Sequence, residues 1–251
     1  MKFTELHQQE SPLLICNVWD VASTKIAEKL GFKAIGTSSA AIATSLGYDD
    51  GENMSFDELY YVVKRIIANT SLPLTVDVEA GYSKIPSQVY KHIISLAELG
   101  VVGINIEDSL VDNTRVLADK DEFTSLIKGI NNELKNKGLN LFLNIRTDTF
   151  LLNVDNALQE SVERIKLYTQ AGANGIFLPC ITSENDISTV VEHSNLPINV
   201  MCMPELPNFS RLQELGVKRI SMGNFIFDNL MVNLDKVLGG IIEQQTFESI
   251  F

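Results

Sequence analysis

The sequence predicts an α/β chain that closes into a single (β/α)8 TIM barrel. Three observations predict it. The chain has 251 residues, close to the ~250 typical of one such barrel. Five helical stretches stop at a glycine that leads straight into an apolar segment. Eight apolar segments in all alternate with amphipathic ones, as parallel strands alternate with helices.

The segment LLICNV at 13–18 reads as the first strand. The five glycine junctions follow a common pattern: Gly31 before FKAIG, Gly100 before VVGINI, Gly138 before LNLFLNI, Gly172 before ANGIFL and Gly216 before VKRISM. Glycine takes the left-handed conformation that stops a helix, and the next residues enter a buried strand. Strands covered on both faces read as near-continuous apolar runs. Two further strands follow prolines: PLTVDV from Pro73 and INVM from Pro197. The eight strands therefore begin near residues 13, 33, 74, 102, 139, 174, 198 and 218. Stretches such as DELYYVVKRIIA and NALQESVERIKLYTQA supply the helices between them. A doubly wound sheet is the rival architecture, but no G-x-G-x-x-G follows the first strand, which weakens a dinucleotide fold. No linker or composition break divides the chain, so residues 1–251 are expected to form one domain. Residues 224–251 would be its last helix and tail, with Gly239-Gly240 marking a hinge or a helix end.

Composition narrows the function. Hydrophobic residues make up 45%, enough for one large core, and the formal net charge is −12. An acidic chain without clustered Lys and Arg argues against nucleic acid and anionic membranes as partners. No run of about 18 apolar residues is present, and MKFTELHQQE lacks the apolar centre of a signal peptide. Cys16, Cys180 and Cys202 are too few and too scattered for a disulfide framework or a zinc knuckle. A reduced, cytoplasmic location is expected.

Barrels of this class carry their chemistry at the C-terminal ends of the strands. There the sequence places Asn17, Trp19 and Asp20 after strand one, and Thr37, Ser38 and Ser39 after strand two. Asp77 and Glu79 follow strand three, Glu107 and Asp108 strand four, and Asn144, Arg146 and Asp148 strand five. Asp77 and Glu79 lie two apart, so on a strand both would point to one face, and Glu107 on the next strand can join them. Like charges gathered this closely call for a cation. Oxygen donors select a hard one, Mg²⁺ with Mn²⁺ as the alternative. Individually, such acids also serve as caps of the following helices. Arg146 offers a planar fork for a substrate carboxylate, or else an ion pair that holds the acidic ring together. Ser38 and the backbone N–H of Ser39 suit an oxyanion or carboxylate oxygen. Trp19 and Asn144 complete the expected substrate contacts. By itself Asp50, in Tyr48-Asp49-Asp50-Gly51, reads as a turn residue.

What is missing matters too. His7, His92 and His193 fall at no strand end, and no Lys ends strand five or six. That argues against histidine acid–base chemistry, a histidine-ligated metal and a Schiff-base aldolase. The loops after strands seven and eight carry one glycine, poor support for a phosphate grip.

These residues resemble the isocitrate lyase/phosphoenolpyruvate mutase superfamily. The resemblance rests on Asn17-Val-Trp-Asp-Val-Ala-Ser, Gly36-Thr-Ser-Ser and Leu46-Gly-Tyr-Asp-Asp-Gly. It rests equally on Asp77-Val-Glu-Ala-Gly-Tyr, Gly103-Ile-Asn-Ile-Glu-Asp and Asn144-Ile-Arg-Thr-Asp. It covers roughly residues 13–225 in order. It implies a barrel of the phosphoenolpyruvate mutase type, with Asp77 nearest Mg²⁺ and with Asp50, Glu79 and Glu107 holding the metal's waters. Ser38 and Ser39 would grip the substrate's carboxylate end, and Arg146 would offset developing negative charge. Members stabilise the enolate of a small 2-oxo acid, make or break a bond to its β-carbon and usually form tetramers, so this chain is expected to be a homo-oligomer, a dimer or a tetramer. The chain departs from the lyases by lacking their K-K-C-G-H loop after strand four, where Asp108-Ser-Leu-Val-Asp-Asn-Thr-Arg-Val-Leu-Ala-Asp stands instead. The mutases' Lys in that loop is also absent, with Arg115 as an electrostatic substitute. The expected activity is a Mg²⁺-dependent C–C lyase or decarboxylase acting on a small carboxylate. C–P mutase or hydrolase chemistry is the first alternative, and a non-catalytic barrel that binds 2-oxo acids the second.

Overall fold

A computed structural model describes residues 2–111 and 114–251. In the stretch compared above with the lyase loop, Asp112 and Asn113 lie outside the described residues. A short 3-10 helix, Phe3–Gln8, precedes the first strand, which runs in two pieces, β1 (Leu13–Leu14) and β2 (Cys16–Val18). Then follow α1 (Val21–Lys29), β3 (Ile35–Thr37), α2 (Ser39–Leu46), α3 (Phe56–Ile67), β4 (Leu74–Asp77), α4 (Pro86–Leu99) and β5 (Gly103–Glu107). A small hairpin, β6 (Ser109–Val111) and β7 (Arg115–Leu117), interrupts the alternation. The chain continues with α5 (Lys120–Asn136), β8 (Phe142–Arg146), α6 (Ala157–Gln170), β9 (Gly175–Leu178), α7 (Glu184–Glu192), β10 (Ile198–Met201), α8 (Phe209–Glu214), β11 (Arg219–Ser221) and α9 (Phe225–Gln244).

All pairings within the main sheet are parallel, in the order β1-β11-β10-β9-β8-β5-β4-β3-β2. Because β1 pairs with β11 while β2, one residue later, pairs with β3, the split first strand closes the circle. The expected (β/α)8 barrel is therefore the fold observed. At each of the five glycine junctions the glycine has positive φ, from +65° at Gly138 to +104° at Gly100. The residue after each glycine donates its N–H five positions back, as Val101 does to Leu96 O at 3.1 Å. This is the bond that closes a helix end through a left-handed residue.

The strands are less uniformly apolar than expected. Along β5, Ile104 and Ile106 join the apolar layer beneath the helices, while Asn105 and Glu107 face the interior cavity. β8 repeats this with Leu143 and Ile145 in the outer layer. The period-2 alternation of a strand thus leaves a polar inner face. The helix-facing layer also contains Leu59, Val63, Ile93, Leu96, Ile127, Ile165 and Val190. A second cluster, Phe3, Leu6, Leu13, Ile15, Ala34 and Phe142, closes the end of the barrel opposite the site.

The last helix departs from expectation. Gly239 and Gly240 do not end it; α9 runs through both. Among its residues only Phe227 is buried, and Leu230, Leu234, Leu238 and Ile242 are 48%, 48%, 52% and 72% exposed. Their four-residue spacing places them on one side of the helix. No helix among the described residues is long and apolar enough to cross a membrane.

Candidate active site

The C-terminal ends of the strands surround a cavity of ≈ 340 Å³, at the small end of ligand-sized pockets. Its lining includes Ser38, Ser39, Asp50, Asp77, Glu79, Glu107 and Arg146, together with Asn17, Asn105, Arg115, Phe177 and Ser221.

Asp77 ends β4. Ser39 Oγ donates to its Oδ2 at 3.2 Å, and its own N–H donates to Thr37 Oγ1 at 2.8 Å. Burial pushes the Asp77 carboxyl up, with Arg146 opposing. Glu79 reaches the same cavity by a different route from the one expected. The strand has ended, and Glu79 has a left-handed backbone at φ +48°, rare for a residue with a side chain. A clasp holds it there: Glu52 N–H donates to Oε2 at 2.7 Å and Tyr82 O–H to Oε1 at 2.7 Å. Burial, with Asp50, Asp77 and Glu107 close by, pushes Glu79 up to about 8 against the pull of the Tyr82 hydroxyl.

Glu107 is fully buried between two guanidinium groups. Arg146 Nη1 lies 2.8 Å from its Oε2, without a well-directed hydrogen bond, and Arg115 Nη1 contacts Oε1. Burial still pushes Glu107 up to about 7. Arg146 is further held by Asp148, with Nε donating to Oδ1 at 2.5 Å and Nη2 to Oδ2 at 3.1 Å. Burial works against its charge, but Glu107, Asp148 and Asp77 outweigh that and raise it well above its ordinary value. Three carboxylate contacts leave N–H groups of the five-donor fork for an anion. Arg146 thus both holds the acidic ring and fronts the cavity, next to the Phe177 ring at 5.8 Å.

Ser38 is buried as the N-cap of α2, accepting from Ala41 N–H at 3.3 Å. The N-terminus of α2 therefore opens at the cavity, with the donor groups and dipole that favour an anion. Asp50 also lines the cavity, and its Oδ2 lies 3.7 Å from Arg115 Nη2.

Some residues expected here lie elsewhere. Trp19 stacks edge-on against Phe227 at 5.2 Å and lines a separate groove. Asn144 sits below the cavity, donating to Asn105 Oδ1 at 2.8 Å and Asn199 Oδ1 at 3.0 Å. Asp108, next to Glu107, faces the opposite side of the strand, where Arg164 and Tyr168 hold it at 2.9 and 2.7 Å. Asp20 caps α1.

Two residues carry more of the site than their sequence position suggests. By sequence Arg115 is an electrostatic substitute in a loop and no more. The β6–β7 hairpin turns it inward to Glu107, Ser109 Oγ at 3.0 Å and Asp148 at 3.4 Å. Asn105 was hidden in an apolar run, its one signal being a polar residue two positions before Glu107.

The donor set suits a hard divalent ion, since every candidate ligand is a carboxylate oxygen. Among the described residues no three such groups come close enough to cage a metal by themselves. An ion here would keep most of its waters, as Mg²⁺ does.

The sequence profile of the phosphoenolpyruvate phosphomutase family matches residues 3–242. The crystal structure of a provisionally assigned phosphonomutase from Burkholderia cenocepacia J2315 superposes with a TM-score of 0.89. It shares 35% identity, over 94% of this chain and 97% of that one. An uncharacterized protein of Mycobacterium tuberculosis is 31% identical over 89% of this chain and 82% of its own length. An oxaloacetate decarboxylase of Bradyrhizobium sp. is 30% identical over 81% of this chain and 70% of its own length.

Proposed function

From the premise that the chain belongs to the phosphoenolpyruvate phosphomutase family, we propose that it is a Mg²⁺-dependent lyase or decarboxylase. Its substrate would be a small 2-oxo acid or 2-hydroxy di- or tricarboxylate, cleaved at a C–C bond through an enolate. One observation carries this reading: Asp50, Asp77, Glu79 and Glu107 share a single small cavity with Arg146 and the N-terminus of α2.

Asp77 would hold the ion, and Asp50, Glu79 and Glu107 its waters. When bound, Mg²⁺ supplies a Lewis acid toward an oxygen of the substrate. The amides at the start of α2 receive the substrate's carboxylate. Arg146 remains cationic and meets the negative charge that develops as the bond breaks. The described cavity lining contains no His or Cys, and water is the proposed proton donor to the product carbon.

C–P chemistry is the second reading, and the position of Arg115 favours it. A phosphonate calls for extra cations, and Arg115 adds a second guanidinium beside Arg146. The C–C reading stands ahead of it, because Glu107, Ser109 and Asp148 already engage Arg115.

A panel of oxaloacetate, 2-methylisocitrate, dimethylmalate and phosphonopyruvate separates these readings, run on wild type and Asp77→Ala with Mg²⁺ or EDTA. Turnover of one of the first three, lost with EDTA and in the variant, is expected. Turnover of phosphonopyruvate alone selects the second reading. Binding without turnover selects a non-catalytic barrel. Normal turnover by Asp77→Ala removes the metal assignment.

The chain is also inferred to form a homo-oligomer, a dimer or a tetramer. Support comes from the exposed apolar stripe of α9, since monomers rarely leave such a surface in water.

A further inference from the structure

We propose that Asn105 is a substrate-binding residue, its amide N–H groups turned to the cavity floor because Arg219 and Asn144 hold its oxygen from beneath. The inference rests on the reading of the cavity as a carboxylate site.

Asn105 lines the cavity and is 6% exposed. Its Oδ1 accepts from Asn144 Nδ2 at 2.8 Å and from Arg219 Nη2 at 3.2 Å. A guanidinium can only donate, so the atom facing Arg219 has to be the amide oxygen. Asn144 is committed in the same sense, because its Nδ2 also serves Asn199 Oδ1. Asn199 in turn donates to Ser221 Oγ at 3.1 Å. The amide row is therefore oriented from both ends, by Arg219 on Asn105 and by the Val200 carbonyl, which accepts from Asn199 Nδ2 at 2.6 Å. With its oxygen occupied from below, Asn105 keeps two N–H donors for the other side. Asn105 is the register partner of Asp77 on the neighbouring strand, so those donors lie beside the leading metal-ligand candidate.

Arg219 is buried beneath this amide. It is 1% exposed, and among the described residues its Nε and Nη1 have no hydrogen-bond partner. A buried cation so incompletely satisfied is costly. What it does is orient Asn105 and lend positive charge to Asp77. Burial lowers it to about 9, and it stays cationic at neutral pH. Arg219 is thus a positioning residue, and Asn105 is the group that meets the ligand. An oxygen of a carboxylate or a 2-oxo group fits these donors, and a cation or a ligand N–H does not.

The test is calorimetric titration of oxalate into Mg²⁺-loaded wild type, Asn105→Asp and Asn105→Ser, with thermal melting of each. Aspartate keeps the shape and the partnership with Arg219 but presents an acceptor to the cavity. Serine is smaller and leaves a void but retains a donor. Loss of a hydrogen bond to a charged ligand weakens binding by about 10- to 100-fold. That loss is expected for Asn105→Asp, with a smaller one for Asn105→Ser. Because aspartate also adds a negative charge beside Asp77, its loss counts only if it persists at high ionic strength; a loss that high salt abolishes, or a larger loss for serine, overturns the proposal. Equal binding by all three proteins also overturns it, while the carboxylate-site reading survives. No oxalate binding by wild type overturns both. Should Asn105→Asp fail to fold, Arg219→Met supplies the second measurement. In that variant Asn105 keeps only its Asn144 partner among the described residues, its amide is held less firmly and oxalate affinity drops with Asn105 intact; unchanged affinity in this variant overturns the proposal.

Discussion

Glu107 and Arg146 are register partners at the ends of β5 and β8, and Arg146 Nη1 lies 2.8 Å from Glu107 Oε2. The pairing places a fixed cation beside an acid ring at the one level of the barrel where both reach the cavity. The same guanidinium also grips Asp148.

Arg146→Lys tests that fork. Lysine keeps one charge but cannot span Glu107, Asp148 and a ligand together. Loss of a preorganised donor facing developing charge lowers kcat/KM by ~10²–10³-fold. Steady-state kinetics on whichever substrate the panel selects is the check, and a variant within about 3-fold of wild type sinks the assignment.

Mg²⁺ removal alters stability with a defined sign. Burial pushes Glu79 up to about 8 and Glu107 up to about 7, from 4.5. The metal-free folded protein therefore keeps protons that the unfolded chain has lost. Its stability is greatest below pH 4.5 for these two groups and falls as pH rises through 7 and 8, by about 1.4 kcal/mol per unit and group at most. Mg²⁺ favours both ionised forms and flattens the slope. Urea melts between about pH 5 and pH 9 with EDTA or Mg²⁺ measure it; identical slopes contradict a cation site.

His7 gives the opposite dependence. Burial, and then the nearby charge of Arg219, lower it to about 3 from 6.5, and its ring stacks on Phe142 at 4.3 Å. The unfolded chain takes up a proton that the folded one refuses. Stability from this group is full above pH 6.5 and is lost as pH falls toward 3, by about 1.4 kcal/mol per unit. His7→Phe keeps the aromatic packing and should flatten that part of the acid limb in urea melts. A variant with the wild-type acid limb refutes the account.

The α9 stripe predicts a mass above that of one chain in light scattering. Leu230→Lys with Leu234→Lys should lower that mass and leave the helical circular dichroism intact. An unchanged mass locates the interface elsewhere.

How much of this was legible in the chain depends on how local the cause is. The glycine stops at Gly31, Gly100, Gly138, Gly172 and Gly216 announced their strands because a left-handed helix end is decided by one residue and its neighbours. Asp77, Glu107, Arg146 and the Ser38–Ser39 step followed from position at strand ends. Glu79 was placed in the site for an incomplete reason: its backbone had already left the strand and relies on Glu52 and Tyr82.

The sequence by itself thus determined a barrel with an acidic mouth and one arginine, because strand, stop and strand-end residue are short-range properties. Tertiary structure alone decided that Arg115 turns inward, that Asn105 borrows its orientation from Arg219 more than a hundred residues away, that Trp19 turns away from the cavity and that α9 leaves an apolar stripe exposed. Each of these depends on contacts made, or left unmade, between elements far apart in the chain, and no local pattern records them.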